Sequence, residues 1–256
     1  MLPKSLPRPV YKPRRSKWMT LVAGFRSRNG GILLCADREE NDGYGKREVD
    51  KIYRVQPLLP QCEVFIAGAG SAGVIANANL LIEEAFWRAE ASGNNLLNTH
   101  RDLLQSTLEI IYEKYVKTSD DEIGLIIVVA FRESGRNPLL YSTQSRLLIP
   151  VENYVSQGTG KSVSDYLADQ LYKYGTDRRE LGLLAAFIFR EAENSSAGVS
   201  FGPDMQFIFD GDRSFRNLGA DNVKNLKNLA PSLRETIWSH WAANVKFPED
   251  LAKAFD

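Results

Sequence analysis

The order of the apolar segments constrains this chain more than any other feature. Thr20–Arg28 alternates and is β-prone, Asn29-Gly30 is a hairpin turn signal, and Gly31–Asp37 returns as an apolar strand. A polar, glycine-containing stretch spans Glu39–Lys46, and Lys51–Val55 and Glu63–Ala67 read as two further strands. Two helical segments follow in succession, Val74–Ala91 and Arg101–Lys117, the second with Leu104, Leu108, Ile111 and Tyr115 on one face. Strands at Leu125–Phe131 and Leu139–Ser142 precede helices at Lys161–Tyr174 and Arg178–Arg190. A strand at Met205–Phe209 and a helix at Ser232–Ala243 complete the order. Strands and helices do not alternate one by one, which disfavours a doubly wound parallel sheet. An α+β fold, with sheets sandwiched between helix layers, fits the order. Neither a linker nor an internal repeat divides residues 19–256, so they are expected to form one domain.

Charge separates the first residues from the rest. Residues 1–18 carry Lys4, Arg8, Lys12, Arg14, Arg15 and Lys17, four prolines and no acid. Such a segment suits neither a helix nor a core strand. It is expected to be a disordered arm, a removable pro-segment, or upstream codons before a start at Met19. Removing those six from the 32 basic groups leaves 26 against 32 acids, a net of −6 for the remainder. That balance argues against a nucleic-acid binder. The sequence contains no run of 18 apolar residues, so no transmembrane helix is expected. Only Cys35 and Cys62 are present, without zinc-ligand spacing, so neither a disulfide framework nor a metal is called for. A reducing cytoplasm is the expected compartment.

Two glycine motifs invite nucleotide chemistry. Gly68–Gly73 is a literal G-x-G-x-x-G after an apolar strand, but the acid about 20 residues on does not close a second strand. A dinucleotide site there is the remote alternative; a tight strand-to-helix turn explains the small residues. Gly158-Thr159-Gly160-Lys161-Ser162 resembles the end of a P-loop, yet Val155 stands where another glycine is needed. No cofactor is expected.

Histidine chemistry is equally poor. His100 sits in a polar stretch before a helix, His240 lies in an aromatic helix, and no G-x-S-x-G is present. Cys35 reads as a small core residue. A hydrolase built on this chain needs another base. An N-terminal amine has a pKa of about 7.7–8.0, low enough to act near neutral pH. A threonine at a mature N-terminus supplies nucleophile and base in one residue. Thr20, after Met19 and opening the first strand, is the candidate.

The remaining motifs follow in a specific order. Thr20 precedes GILLCAD ending in Asp37, Lys51 opens KIYRV, and Gly68 follows EVFIA. Gly158-Thr159-Gly160 and Glu193-Asn194-Ser195-Ser196-Ala197-Gly198 come later. Over about residues 19–210 the chain resembles the proteasome β-type subunits of the N-terminal nucleophile hydrolases, and their bacterial proteasome-like relatives. The resemblance implies a four-layer αββα sandwich of two mainly antiparallel sheets. It implies a threonine-type endopeptidase acting through an acyl-enzyme on Thr20, with Asp37 and Lys51 around the nucleophile. Gly68 is implied as the oxyanion donor in the strand-to-helix turn, and Thr159, Glu193 and Ser196 as the supporting shell. Glu193, Thr159 and Ala197 depart from the family's aspartate, serine and glycine. The implied partners are a peptide or unfolded-protein substrate, further copies in a ring, and an unfoldase of unspecified kind; nucleic acid and membrane are not implied. The alternative is a non-catalytic scaffold resembling the α-type subunits.

Overall fold

The structure is a computed structural model describing residues 20–28, 30–41, 46–56, 59–133, 135–173, 176–196, 198–200, 202–209 and 215–244. The expectations for residues 1–18 and Met19 lie outside the described residues.

The first sheet contains β1 (Leu21–Arg26), β2 (Ile32–Ala36), β10 (Tyr154–Gly158), β11 (Asp204–Ile208) and β12 (Phe215–Asn217). Its order is β10-β1-β2-β11-β12. The second contains β5 (Ile52–Arg54), β6 (Cys62–Gly70), β7 (Ile123–Phe131), β8 (Leu139–Gln144) and β9 (Leu147–Pro150), in that order. A small hairpin of β3 (Glu39–Asn41) and β4 (Lys46–Glu48) occupies the polar stretch. The ladders of both sheets are antiparallel.

Side-chain alternation divides these strands between two buried faces. Val22, Ile32, Leu34 and Ala36 meet Phe65, Ala67, Ile126, Val128 and Leu140 between the sheets. From the same strands, Leu21, Ala23, Phe25, Leu33 and Cys35 turn outward to the helix layer of α3 (Lys161–Leu171) and α4 (Arg178–Ser195). Val64, Ile66, Leu125, Ile127 and Val129 turn the opposite way, to α1 (Ala72–Ala91) and α2 (Leu96–Tyr115). Three apolar layers therefore separate four layers of structure, the expected αββα sandwich. Both faces of each sheet are covered, which is why β2 and β7 read as continuous apolar runs.

The helices show why they stop and start where they do. On α1, Val74, Ala78, Ile82, Phe86 and Ala89 form the buried stripe. Asn95 caps α2 by accepting from the Leu97 N–H at 3.1 Å. Asp177 and Glu180 form a reciprocal capping box at the start of α4, satisfying N–H groups that the helix cannot. The final helix, α5 (Ala220–Asn244), starts well before the expected Ser232 and runs through Pro231. Among the described residues, no helix is long and apolar enough to cross a membrane.

Candidate active site

Thr20 stands one residue before β1 and is 5% exposed. Because β1 lies between β2 and β10, Thr20 enters a gap between Asp37, just past β2, and Gly158, the end of β10. The ladder continues beyond β2, with the Asp37 N–H donating to the Leu21 carbonyl at 2.9 Å. This fixes the fully buried Asp37 carboxylate beneath Thr20. Asp37 Oδ1 accepts from the Leu21 N–H at 2.9 Å and from the Thr20 hydroxyl. Lys51 arrives from the other sheet, one residue before β5. Its Nζ donates to Thr20 Oγ1 at 2.5 Å, to Asp37 Oδ1 at 2.8 Å, and to the Glu39 carbonyl. An ammonium has three donors and no acceptor, so these contacts use its full capacity. Burial pushes the Asp37 carboxyl above its ordinary value, while Lys51, the Thr20 hydroxyl and the Leu21 N–H oppose that rise.

The direction of the Gly68 N–H follows from the ladder. Gly68 faces Leu125 across β6 and β7, and the Leu125 N–H donates to Thr143 Oγ1 on β8 at 2.8 Å. Facing residues in an antiparallel pair exchange both backbone bonds or neither. Gly68 therefore turns its N–H away from β7 and toward the edge where β5 lies. The 3.0 Å bond from the Val55 N–H to the Val64 carbonyl has the same parity. Ile52 faces Ala67, so one step further along the register Lys51 stands opposite Gly68. Gly68 lies within β6, not in the strand-to-helix turn expected from the sequence. The strand continues because α1 packs Ile75 onto it: a Cβ on Gly68 would lie 2.7 Å from Ile75 Cγ2.

The Gly158–Gly160 turn closes the other side. Gly158 has φ +100°, and a Cβ there would lie 2.3 Å from the Thr20 carbonyl oxygen. The Gly160 N–H points to that oxygen at 3.4 Å. A Cβ on Gly160 would touch Ala192 Cβ at 3.3 Å, so the last turn of α4 abuts this turn. Thr159 is half-buried between the two glycines. Ser196 is half-buried at the C-cap of α4, and Glu193 is exposed in its last turn. Direct hydrogen bonds thus join Thr20, Asp37 and Lys51; Gly68 faces their edge, and Thr159 and Ser196 belong to the neighbouring turns. Ala197 lies outside the described residues. Sequence reasoning missed two contributors, the Glu39 carbonyl and Gly158. A backbone carbonyl leaves no mark in a sequence, and Gly158 was legible only as part of a phosphate-loop lookalike.

The competing motifs find other uses. The helix after Gly68–Gly73 leads into a second helix and then an antiparallel strand, so the parallel βαβ unit of a dinucleotide site is missing. Lys161 pairs with Asp165 at 2.5 Å one helical turn on. His100 lies inside α2, not before it, with Nε2 2.8 Å from the Tyr141 hydroxyl. Burial raises the Cys35 thiol well above its ordinary value and pushes Cys62 up to about 12. The side chain of His240 lies outside the described residues. Among the described residues, no three His, Cys, Asp or Glu side chains cluster to hold a metal.

No family model and no curated protein matches the chain. Solved structures do. An Anbu Gly-1 mutant from Hyphomicrobium sp. strain MC1 matches with a TM-score of 0.72 at 15% identity, over 90% of this chain and 99% of that one. Anbu (ancestral beta-subunit) from Yersinia bercovieri matches with a TM-score of 0.70 at 14% identity, over 90% of this chain and 100% of that one. A further Hyphomicrobium Anbu structure gives 0.68 at 15%, again over 90% and 100%. The shared property is the fold, the αββα sandwich described above. The sequence resemblance to proteasome β-type subunits is corrected accordingly: the similar structures are Anbu proteins at 14–15% identity, and that family is not the β-type family proper.

Proposed function

We propose that the chain, once it begins at Thr20, is an N-terminal threonine amidohydrolase that cleaves peptide bonds. One observation carries this reading: Thr20 Oγ1 is held between Lys51 Nζ and Asp37 Oδ1 at the buried start of β1. Lys51 donates all three of its N–H groups, which suits an electrostatic role and leaves the base to another group. A free Thr20 amine fills that gap, since it is partly unprotonated near neutral pH. The amine takes the hydroxyl proton as Oγ1 attacks the substrate carbonyl. Lys51 stabilises the charge developing on Oγ1, and Asp37 holds Lys51 in place. The Gly68 N–H supports the tetrahedral oxyanion; losing such a donor typically costs about 10²–10³ in rate. Collapse returns the proton to the departing amine and leaves an ester on Thr20. A water molecule, deprotonated by the same amine, then releases the acid and regenerates the hydroxyl. Peptides or unfolded segments are the substrates, and assembly with further copies accompanies the activity.

The test uses protein beginning at Thr20, a fluorogenic peptide amide, and a peptide epoxyketone that reacts with an adjacent hydroxyl and amine. Thr20→Ala abolishes turnover and labelling and leaves sedimentation unchanged. Turnover retained in that variant would refute the mechanism. A scaffold of the same fold is the second reading, favoured by the residues that precede Thr20 and make its nitrogen an amide. The intact mass of protein made from its own gene separates the two, because only a chain starting at Thr20 has the amine.

A further inference from the structure

The site is divided between two sheets. Thr20 and Asp37 belong to the first; Lys51 and Gly68 belong to the second. The layer between them is largely aliphatic and aromatic, with Val22, Ile32, Leu34, Phe65, Ile126 and Val128 among its members. Apolar burial is itself non-directional and fixes the spacing of the sheets more closely than their register. Catalytic geometry is far less tolerant, and a displacement of about 1 Å can cost on the order of 10² in rate. Lys51 itself crosses between the sheets to Thr20 and Asp37, and a second directional tie beside the site would hold that crossing in register.

We propose that Gln157 is that tie, a positioning residue that sets Thr20 against Lys51 and Gly68. Gln157 pairs with Val22 in the β1–β10 ladder, and paired residues share a face, so both point between the sheets. Its Nε2 donates to Ser142 Oγ at 2.9 Å and to the Thr143 carbonyl at 3.1 Å, both on β8. Those residues are 6% and 3% exposed and Gln157 is half-buried, so the acceptors are largely shielded from water and leaving them unpaired is costly. Thr143 continues the connection, its Oγ1 accepting from the Leu125 N–H at 2.8 Å. Leu125 is the ladder partner of Gly68. On its other side, Gln157 precedes Gly158, which wraps the Thr20 carbonyl. A run of neighbours thus links Thr20 to Gly68: hydrogen bonds join Gln157, Thr143 and Leu125, while Gly158 meets Thr20 by close approach and Leu125 meets Gly68 as a facing pair without a backbone bond. The second sheet is shaped around this side chain: a Cβ on Gly124 would lie 2.8 Å from Gln157 Oε1 and 2.9 Å from its Cδ. At the far end of β1, Arg26 makes a comparable crossing to the Pro138 carbonyl at 3.0 Å.

The inference rests on the proposed role of Thr20. The experiment compares protein beginning at Thr20 with Gln157→Leu, which keeps the bulk and removes the donor. It also uses Gly124→Ala, which displaces Gln157 without altering it and serves if Gln157→Leu does not fold. Peptide turnover, epoxyketone labelling rate and Tm are measured for each. A positioning role lowers kcat and the labelling rate about 10–100-fold in both variants, with KM held within about twofold. A role confined to stability lowers Tm and leaves kcat unchanged, which would overturn the inference while the Thr20 mechanism stands. An inert parent protein would overturn both.

Discussion

Replacing Lys51 with methionine keeps most of the side-chain length and removes the charge, which exposes what the cation does for Asp37. The Asp37 side chain is 0% exposed and that of Lys51 is 12% exposed, so the ion pair is buried. Removing one partner of such a pair typically costs about 3–5 kcal/mol. For a domain of this size that lowers Tm by roughly 6–20 °C. The stranded carboxylate can escape only by taking up a proton. From an unfolded-state pKa of about 3.9, protonation costs about 4 kcal/mol at pH 7 and about 1.5 kcal/mol at pH 5. The deficit of Lys51→Met therefore shrinks by up to about 2.7 kcal/mol between pH 7 and pH 5. The sign follows from the raised carboxyl. A group whose folded pKa exceeds its unfolded value contributes fully below the unfolded value and loses that contribution as pH rises through the folded one. Lys51 opposes the rise in the parent, so the variant has the steeper slope. Urea midpoints of both proteins at pH 5, 6 and 7, at a shared m-value, provide the assay. A deficit equal at pH 5 and pH 7, or larger at pH 5, would show that Asp37 is not stranded and that the burial argument is wrong.

The remaining predictions concern the turn beside Thr20 and one core histidine. Gly158→Ala forces an alanine to φ +100° with its Cβ against the Thr20 carbonyl. It is expected to cost about 1–3 kcal/mol for the backbone alone and to slow Thr20 labelling; unchanged stability and labelling would contradict the close approach. Burial lowers the His100 pKa, so the unfolded chain binds more protons than the folded one between that lowered value and about 6.5. Its contribution is complete above about pH 6.5 and falls as pH drops through that window, so His100→Gln flattens the acid side of the stability curve. Matching slopes for parent and variant between pH 6.5 and 5 would count against it.

The apolar segments announced both sheets, but they did not announce how the strands end. β6 runs through Gly68 and Gly70, residues that read as a turn, because α1 seats Ile75 over Gly68. Gly70 has φ +121°, and a Cβ there would lie 2.3 Å from the Glu122 carbonyl oxygen. The start of α2 was hidden because Asn95, Asn98, Thr99 and His100 look polar, yet Leu96 and His100 are buried. α4 was read as ending at Arg190, but Ala192 still faces the core, and Glu193 and Asn194 only decorate the exposed side. β9 was missed because Leu147 and Ile149 are apolar yet exposed while Leu148 alone is buried, so the strand shows no polar–apolar alternation. For the candidate site, Thr20 came from its place opening the first strand, Asp37 and Lys51 came from the resemblance, and the structure brings these three side chains together. The Gly68 N–H was nameable, but its direction depends on ladder parity, which is set by residues more than 50 positions later. Gln157 carried no signal, since an amide in a strand looks like an ordinary polar residue until the opposite sheet is in place.

The pairing of β1 with β10 also orders events in time. Asp37 and Lys51 leave the ribosome soon after Thr20, but the turn that grips the Thr20 carbonyl comes only with Gly158 and Gly160. At 5–20 residues per second, synthesis of that interval takes roughly 7–28 s. Throughout it the nearest peptide bonds are those of the nascent chain itself, unfolded and at very high local concentration. Thr20, the proposed nucleophile, lacks the contacts of that turn until it is made. Under the proposed mechanism, vectorial synthesis acts as an interlock, because the turn that completes the Thr20 site is made last.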